Sequence, residues 1–95
     1  MHAAVRMYRV TDIDALVTKV EDEFVERVKE IDGFVGYYVI DGGDGTAASV
    51  TVGETEDAVE SSTRQASEWV RESVADLIEG APEVTAGEVR VRAER

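Results

Sequence analysis

The sequence predicts one α+β domain in which the elements follow the order βαββαβ. Apolar and polar residues alternate over residues 3–10, which is typical of a half-buried strand. A glycine-rich segment at residues 41–45 separates two runs rich in aromatic and β-branched residues, which predicts a hairpin. Two longer segments repeat apolar residues at spacings of three and four, which is typical of amphipathic helices.

The first predicted helix follows the first strand. Thr11 can cap its N-terminus, and Asp14 lies three residues further on, as the acid of a capping box does. Gly33 suits the left-handed position that follows a helix. The apolar stripe of this helix consists of Ile13, Leu16, Val17, Val20, Phe24, Val28 and Ile31.

The hairpin strands are expected at residues 34–41 and 46–52, and a second helix and a last strand follow them. Thr55 can cap the second helix, and Gly80 and Pro82 are expected to end it before a strand at residues 83–93. The stripe of this helix consists of Ala58, Val59, Ser62, Ala66, Trp69, Val70, Leu77 and Ile78.

This order is the ferredoxin-like split βαβ arrangement. It predicts a four-stranded antiparallel sheet with two helices on one face, formed by a single domain that spans residues 1–95. The other face of the sheet then has no cover within the chain, and a chain of 95 residues gains core by pairing with a second copy. We therefore expect a homodimer.

Alternation assigns the strand residues to the two faces. The apolar set is expected beneath the helices, and the mixed set, with its tyrosines, on the uncovered face. The expected helix side carries Val5, Met7, Val35, Tyr37, Val39, Ala48, Val50, Val52, Val89 and Val91. The expected uncovered side carries Arg6, Tyr8, Phe34, Tyr38, Ile40, Ala47, Ser49, Thr51, Glu88 and Arg90. Such a face is a solvated surface, a dimer interface, or the wall of a dimer cavity that binds a small molecule.

The charge balance excludes several partners. Asp and Glu total 21 against 10 Lys and Arg, for a net charge of −11. Such a surface repels nucleic acid and anionic lipid, so we expect neither nucleic-acid nor membrane binding. The acidic balance indicates a halophilic source, in which salt screens self-repulsion. The absence of cysteine, of a signal peptide and of a transmembrane span indicates a cytoplasmic protein.

Five segments have a pattern similar to that of a known family: GFVGYY at 33–38, GGDG at 42–45, SVTV at 49–52, EWV at 68–70 and VTAGEV at 84–89. They resemble the antibiotic-biosynthesis-monooxygenase-like domains of the dimeric α+β barrel superfamily, and the resemblance covers nearly the whole chain. It implies a homodimer in which two sheets form a barrel. The superfamily includes cofactor-free oxygenases, haem-degrading enzymes, isomerases, ligand-binding modules and proteins of unknown activity.

No cofactor is expected. The haem-degrading members use an Asn, a Trp and a His on the second helix, whereas this chain has no asparagine and its one histidine is His2. Its carboxylates show no metal-ligand spacing, so we expect no metal site either. Ser49 and Thr51 have no neighbouring base in the sequence that could activate them as nucleophiles.

Five residues are candidates for binding a ligand. Tyr8 and Tyr38 can donate hydrogen bonds, Arg6 and Arg90 can hold an anion or stabilise an enolate-like charge, and Trp69 can line a pocket beside small helix residues. Each also has a structural interpretation: the tyrosines as interface aromatics, the arginines as partners of Glu88, and Trp69 as part of the core.

Two functions remain open. In the first, the chain is a small-molecule-binding or structural module, and a hydrophobic small molecule is its candidate partner. Alternatively, as the resemblance implies, it is a cofactor-independent monooxygenase or isomerase that acts on a hydrophobic or aromatic compound. The lack of a recognisable acid–base pair favours the module.

Overall fold

A computed structural model describes all residues from Met1 to Arg95. The strands β1 (His2–Val10), β2 (Phe34–Gly43), β3 (Thr46–Gly53) and β4 (Ile78–Glu88) form one sheet in the order β2-β3-β1-β4. Every neighbouring pair is antiparallel. The predicted ferredoxin-like order, with a four-stranded antiparallel sheet and two helices, is confirmed.

Each helix contains a π-helical turn. Helix α1 consists of Ile13–Lys19, the π-helical Val20–Phe24, and Val25–Lys29. Helix α2 consists of Glu56–Trp69, the π-helical Val70–Val74, and a 3₁₀ turn at Ala75–Leu77. Such turns are often found at functional sites. Neither helix is long and apolar enough to cross a lipid bilayer.

The N-terminal caps of the two helices differ in how well the sequence predicts them. Thr55 caps α2, because its hydroxyl accepts a hydrogen bond from the Ala58 amide at 3.1 Å. The expected cap of α1, Thr11, is wrong by one residue, since the Asp12 carboxylate accepts the bond from the Ala15 amide at 3.1 Å. Both residue types are good caps, and a one-residue shift lets the carboxylate take the position.

The hairpin between β2 and β3 turns at Asp44 and Gly45. Both residues have positive φ, 50° and 77° respectively. This backbone twist matches the right-handed twist of the two strands and explains why Asp-Gly is a favoured pair at this position. The predicted hairpin is confirmed, with β2 two residues longer than expected.

The last strand lies five residues earlier than the sequence predicts. Gly80 and Pro82 do not end α2 but lie inside β4, where Met7 pairs with Glu83 and Arg9 pairs with Glu79. The three residues 80–82 therefore bulge opposite the single residue Tyr8. Gly80 has φ +71°, which its missing Cβ permits, and Pro is tolerated at such bulges.

The core lies between the helices and one face of the sheet. Phe24 of α1 contacts both Tyr37 of β2 and Trp69 of α2, with ring centroids 5.5 and 5.2 Å apart. The buried cluster consists of Val10, Leu16, Val20, Phe24, Val28, Ala47, Ala66, Trp69 and Val74. These side chains join both helices to the sheet.

The expected assignment of strand residues to the two faces is wrong for β1 and β3. The helix-covered face carries the buried side chains Arg6, Ala47, Ser49 and Thr51, together with Tyr8, which contacts the core. The register places Val5, Met7, Ala48, Val50 and Val52 on the opposite, open face. Alternation separates two faces but does not say which one the helices cover. Here the helices cover the more polar of the two sets.

The assignment is right for most of β2 and wrong at its start. Tyr37 and Val39 contact the core, while Tyr38 and Ile40 are exposed, as expected. Phe34 contacts the core and Val35 is exposed, which reverses the prediction, because a register shift between Phe34 and Gly36 changes the alternation.

Five residues assigned to the last strand, 89–93, lie beyond its end. Val89, Arg90 and Val91 follow Glu88, the last residue of β4, so they belong to neither face. Val91 is 88% exposed, whereas the sequence predicts that it is covered by the helices.

Candidate functional site

The central feature of the covered face is a buried arginine. Arg6, in the middle of β1, is 1% exposed. Its Nε donates to Ser49 Oγ, its Nη1 to Thr63 Oγ1 and its Nη2 to Thr51 Oγ1, each at 3.0 Å. Ser49 is opposite Arg6 in the sheet and Thr63 projects from α2, so the guanidinium joins the sheet to the helix.

Arg6 has no carboxylate partner, although the chain is strongly acidic. None of the ion pairs in the structure involves it. Its three acceptors are neutral hydroxyls, and Thr51 Oγ1 shares a further hydrogen bond of 2.8 Å with Ser62 Oγ. Burying a charge is costly unless it is paired. The covered face therefore holds a positive charge that hydroxyl groups solvate and that no anion of the chain neutralises.

A small apolar cavity lies beside this arginine, beneath Trp69. Its volume is about 20 Å³, which is enough for a single water molecule. Its lining includes Tyr8, Tyr37 and Ser49, whose side chains carry hydroxyl groups, among mostly apolar residues. The space that the sequence predicts beneath Trp69 is therefore present but nearly filled.

Trp69 of α2 is held in place by two residues of α1. Its indole Nε1 donates to Glu23 Oε1 at 3.1 Å, and its ring packs on Phe24. The hydrogen bond from Lys19 lowers the pKa of the Glu23 carboxyl, and the bond from Trp69 lowers it further. This contact involves the π-helical turn of α1, which contains Glu23, and lies next to that of α2, which begins just after Trp69.

A larger cleft opens between α2 and β4. Its volume is about 370 Å³, within the range of small-molecule sites. Few contacts join α2 to β4, so the covered-face side chains of this strand, Val84 and Ala86, remain exposed. The bulge at residues 80–82 forms one wall of the cleft opposite Tyr8. The lining consists of Arg6, Tyr8, Thr63, Ser67, Val70, Arg71, Gly80, Ala81, Pro82 and Val84.

The structure brings three of the five candidate residues together. Arg6 and Tyr8 line the cleft, and Trp69 lines the adjoining cavity, which shares Tyr8 and Val70 with the cleft. Tyr38 is 60% exposed on the open face. The fifth candidate, Arg90, lies beyond β4, with its Nε 3.6 Å from Glu88 Oε1.

Sequence reasoning missed two residues of this region. Tyr37 lies on the covered face, where burial raises its pKa to about 12, Tyr8 acts in the same direction, and the nearby Arg6 charge opposes the rise. Tyr37 is thus a hydrogen-bond donor and not a base at neutral pH. Thr63, which bonds Arg6, lies one position after Ser62 of the predicted helix stripe, and a polar residue there gives no signal by itself.

The arrangement suits binding better than proton transfer. The cleft has a buried guanidinium and a phenol at its floor and apolar side chains on its walls. No carboxylate or imidazole lines it, so it lacks a group that could act as a general base at neutral pH.

Comparison with solved structures places this geometry in a known fold. No family model matches the sequence, and neither does any curated protein. A protein of unknown function from Nitrosomonas europaea superposes with a TM-score of 0.79 at 11% identity, over 99% of this chain and 93% of that one.

Two oxygenases are similar in structure. A monooxygenase from Streptomyces coelicolor, solved in complex with the ligand nanaomycin D, has a TM-score of 0.77 at 22% identity over 99% of this chain and 91% of that one. A cofactor-independent oxygenase from Streptomyces nogalater has a TM-score of 0.74 at 15% identity over 99% and 97% of the two chains.

The chain has the fold of the antibiotic biosynthesis monooxygenase-like proteins. The resemblance noted in the sequence is thereby confirmed as a likeness of fold. At these identities the likeness concerns the backbone, and the chemistry has to be argued from the side chains of this chain.

Proposed function

We propose that this domain is a small-molecule-binding module whose ligand occupies the cleft between α2 and β4. The observation that carries the proposal is the pairing of buried Arg6 and Tyr8 at the floor of the cleft with the apolar walls formed by Val70, Pro82 and Val84. A concave, largely apolar site with a few directed polar groups is the usual make-up of a ligand pocket.

Tyr8 is expected to orient the ligand. Its side chain lines both the cleft and the cavity beneath Trp69, and its phenol can donate or accept a hydrogen bond. Binding in the cleft therefore changes the surroundings of Trp69, the only tryptophan, whose fluorescence can report it.

A blocked variant tests the proposal. We expect naphthalene derivatives to change Trp69 fluorescence with saturation in the wild-type protein. Val84→Phe fills the cleft from β4 and should weaken this binding at least ~10-fold through a steric clash. Val91→Phe, at an 88% exposed position outside the cleft, adds the same ring and should bind normally. Equal affinity in all three proteins would rule out the cleft.

The alternative function, a cofactor-independent monooxygenase or isomerase, is not favoured. Arg6 could stabilise an enolate-like charge, and two structural neighbours are oxygenases. However, the cleft has no base to generate such a charge. Oxygen uptake that depends on the enzyme and an aromatic hydroquinone, and that Arg6→Gln abolishes, would establish this function in place of simple binding.

We further propose that the module is a homodimer formed through the open face. Apolar side chains there are half exposed, including Met7 at 51%, Val35 at 47%, Tyr38 at 60% and Ile40 at 51%. A row of this kind on one face of a sheet usually marks an interface. The sheets of two copies would cover one another and leave the clefts on the outside of the pair.

The excess of acidic residues supports a high-salt setting. The net charge of −11 destabilises a compact chain by self-repulsion, and salt screens that repulsion. We propose a cytoplasm of high ionic strength as the place where this domain works.

A further inference from the structure

We propose that the cleft selects ligands that carry a carboxylate, which Arg6 binds at the floor; this inference rests on the proposed binding function. The Arg6 guanidinium has hydrogen-bonding capacity that the chain does not use fully. It has five N–H groups, and the three hydroxyl acceptors use one on each nitrogen. These bonds leave one N–H on each terminal nitrogen, with the Tyr37 hydroxyl nearby as a neutral competitor, and two such N–H groups match the two oxygens of a carboxylate.

The charge of the cleft lining also favours an anion. Of the 95 residues, 21 are acidic, yet none of the ten lining residues is, and two of them, Arg6 and Arg71, are basic. The adjacent groove along α2, which shares Arg71 with the cleft, balances Arg64 and Arg71 with Glu60 and Glu68. The cleft is therefore a positive spot on an acidic protein, with its charges arranged to receive an anion.

Neither arginine of the cleft is neutralised within the chain. Arg71 makes only a 3.5 Å contact from Nη1 to Ser67 Oγ and belongs to no ion pair. By contrast, Arg27 on the other side of α2 pairs with Glu68 at 3.2 Å. A ligand carboxylate would supply the counter-charge that buried Arg6 lacks, and desolvation would strengthen the contact.

The apolar walls of the cleft determine the part of the ligand that lies away from Arg6. Val70, Ala81, Pro82 and Val84 offer no hydrogen-bonding side chains, so the body of the ligand should be apolar and small enough for about 370 Å³. The predicted class is a small hydrophobic monocarboxylate, bound with its anionic end inward at Arg6 and its body along the bulge of β4.

A matched pair of probes tests this inference without any mutation. 2-Naphthoate and 2-naphthalenemethanol share the same ring system and differ in charge. By calorimetry at fixed ionic strength, the wild-type protein should bind 2-naphthoate at least ~10-fold more tightly, since charge-assisted hydrogen bonds are the stronger ones. Equal affinities would overturn carboxylate selection but leave the binding function intact. If neither probe binds, both proposals fail.

Substitutions of individual arginines test whether the preference for the carboxylate depends on Arg6. Arg6→Gln should reduce the preference for 2-naphthoate to about 1, whereas Arg64→Gln removes the same charge from an exposed site on α2 outside the cleft and should keep it. Arg71→Gln, at the rim, should reduce it by a smaller factor. Should Arg6→Gln fail to fold, Arg6→Lys keeps the charge without the fork and should also lose most of the preference. A preference that survives at Arg6→Gln or Arg6→Lys would overturn the assignment.

Discussion

The two faces of the sheet are the reverse of what a soluble monomer would be expected to have. The covered face, beneath the helices, carries a charge and a row of hydroxyls, with Arg6, Ser49 and Thr51 all buried. The open face carries valines, a methionine, an isoleucine and a tyrosine. An exposed apolar face is typical of a protein–protein interface, and a buried group of polar side chains without an ion-pair partner is typical of a ligand site. We interpret the first as a dimer interface and the second as the floor of a ligand cleft.

The largest expected effect comes from charging the open face. Tyr38→Asp combined with Ile40→Asp places like charges opposite one another in the proposed dimer, and we expect the dissociation constant to rise at least ~100-fold because each charge must be desolvated unpaired. Sedimentation velocity at micromolar concentration measures it. Val91→Asp, outside the sheet, is the control and should leave the dimer intact. A wild-type protein that sediments as a monomer would refute the interface.

Two neighbouring tyrosines, Tyr37 and Tyr38, lie on opposite faces of the sheet. The covered one, Tyr37, is expected to make the free energy of unfolding depend on pH. Tyr37 is on the covered face, and its pKa is raised from 10.0 to about 12. The folded state therefore holds this proton more tightly than the unfolded state. The resulting stability is complete below pH 10 and is lost as the pH rises from 10 to 12. The size is on the order of 2 kcal/mol.

Denaturant unfolding at pH 9 and pH 11.5 measures this loss. Tyr37→Phe should lose less stability over this interval than the wild-type protein, because the ionisable hydroxyl is gone. Tyr38→Phe, the adjacent position on the open face, should behave as the wild type does. The same slope in all three proteins would mean that Tyr37 does not contribute the alkaline loss.

Hydroxyls on the two faces are expected to differ in their contribution to stability. Thr51→Val keeps the shape but leaves Arg6 Nη2 and Ser62 Oγ without a partner, and should cost about 1–3 kcal/mol. Thr85→Val, the same change at an exposed position of β4 on the open-face side, should fall within ~0.5 kcal/mol of the wild type. Urea unfolding measures both, and equal values would contradict the importance of the hydroxyl row.

The smallest expected effect concerns neither face but the exposed sides of the helices, where much of the acidic excess lies. The melting temperature should rise by roughly several degrees between ~0.1 M and ~2 M KCl, because screening relieves self-repulsion. The double variant Glu21→Gln and Asp22→Asn, at exposed positions of α1, should show a shallower rise. A melting temperature that does not change with salt would remove the halophilic interpretation.

The order of elements could be read from the sequence because local signals fix it. The Asp44-Gly45 turn, the Thr55 cap and the three- and four-residue spacing each act over a few residues, and the structure retains them. The position of β4 could not be read, because Gly80 and Pro82 are equally good helix-ending signals and bulge residues.

The candidate site was only partly predictable, for a different reason. Arg6, Tyr8 and Trp69 were recognisable by their chemistry, but alternation alone does not tell which face the helices cover. The signal that could have decided it is the run of small residues at Ala47, Ser49 and Thr51, which lets helices approach the sheet closely. Tyr37 and Thr63 join the site only through packing between distant segments.

The most direct test of this account is to see which face of the sheet a ligand touches. Spectra of the wild-type protein with labelled alanine, isoleucine and valine methyl groups can be recorded during titration with 2-naphthoate. We predict shifts with a common saturation curve at Val70, Ala81 and Val84, which line the cleft, and none at Val35, Ile40 and Val50 on the open face. Shifts confined to the open-face methyl groups would contradict the account.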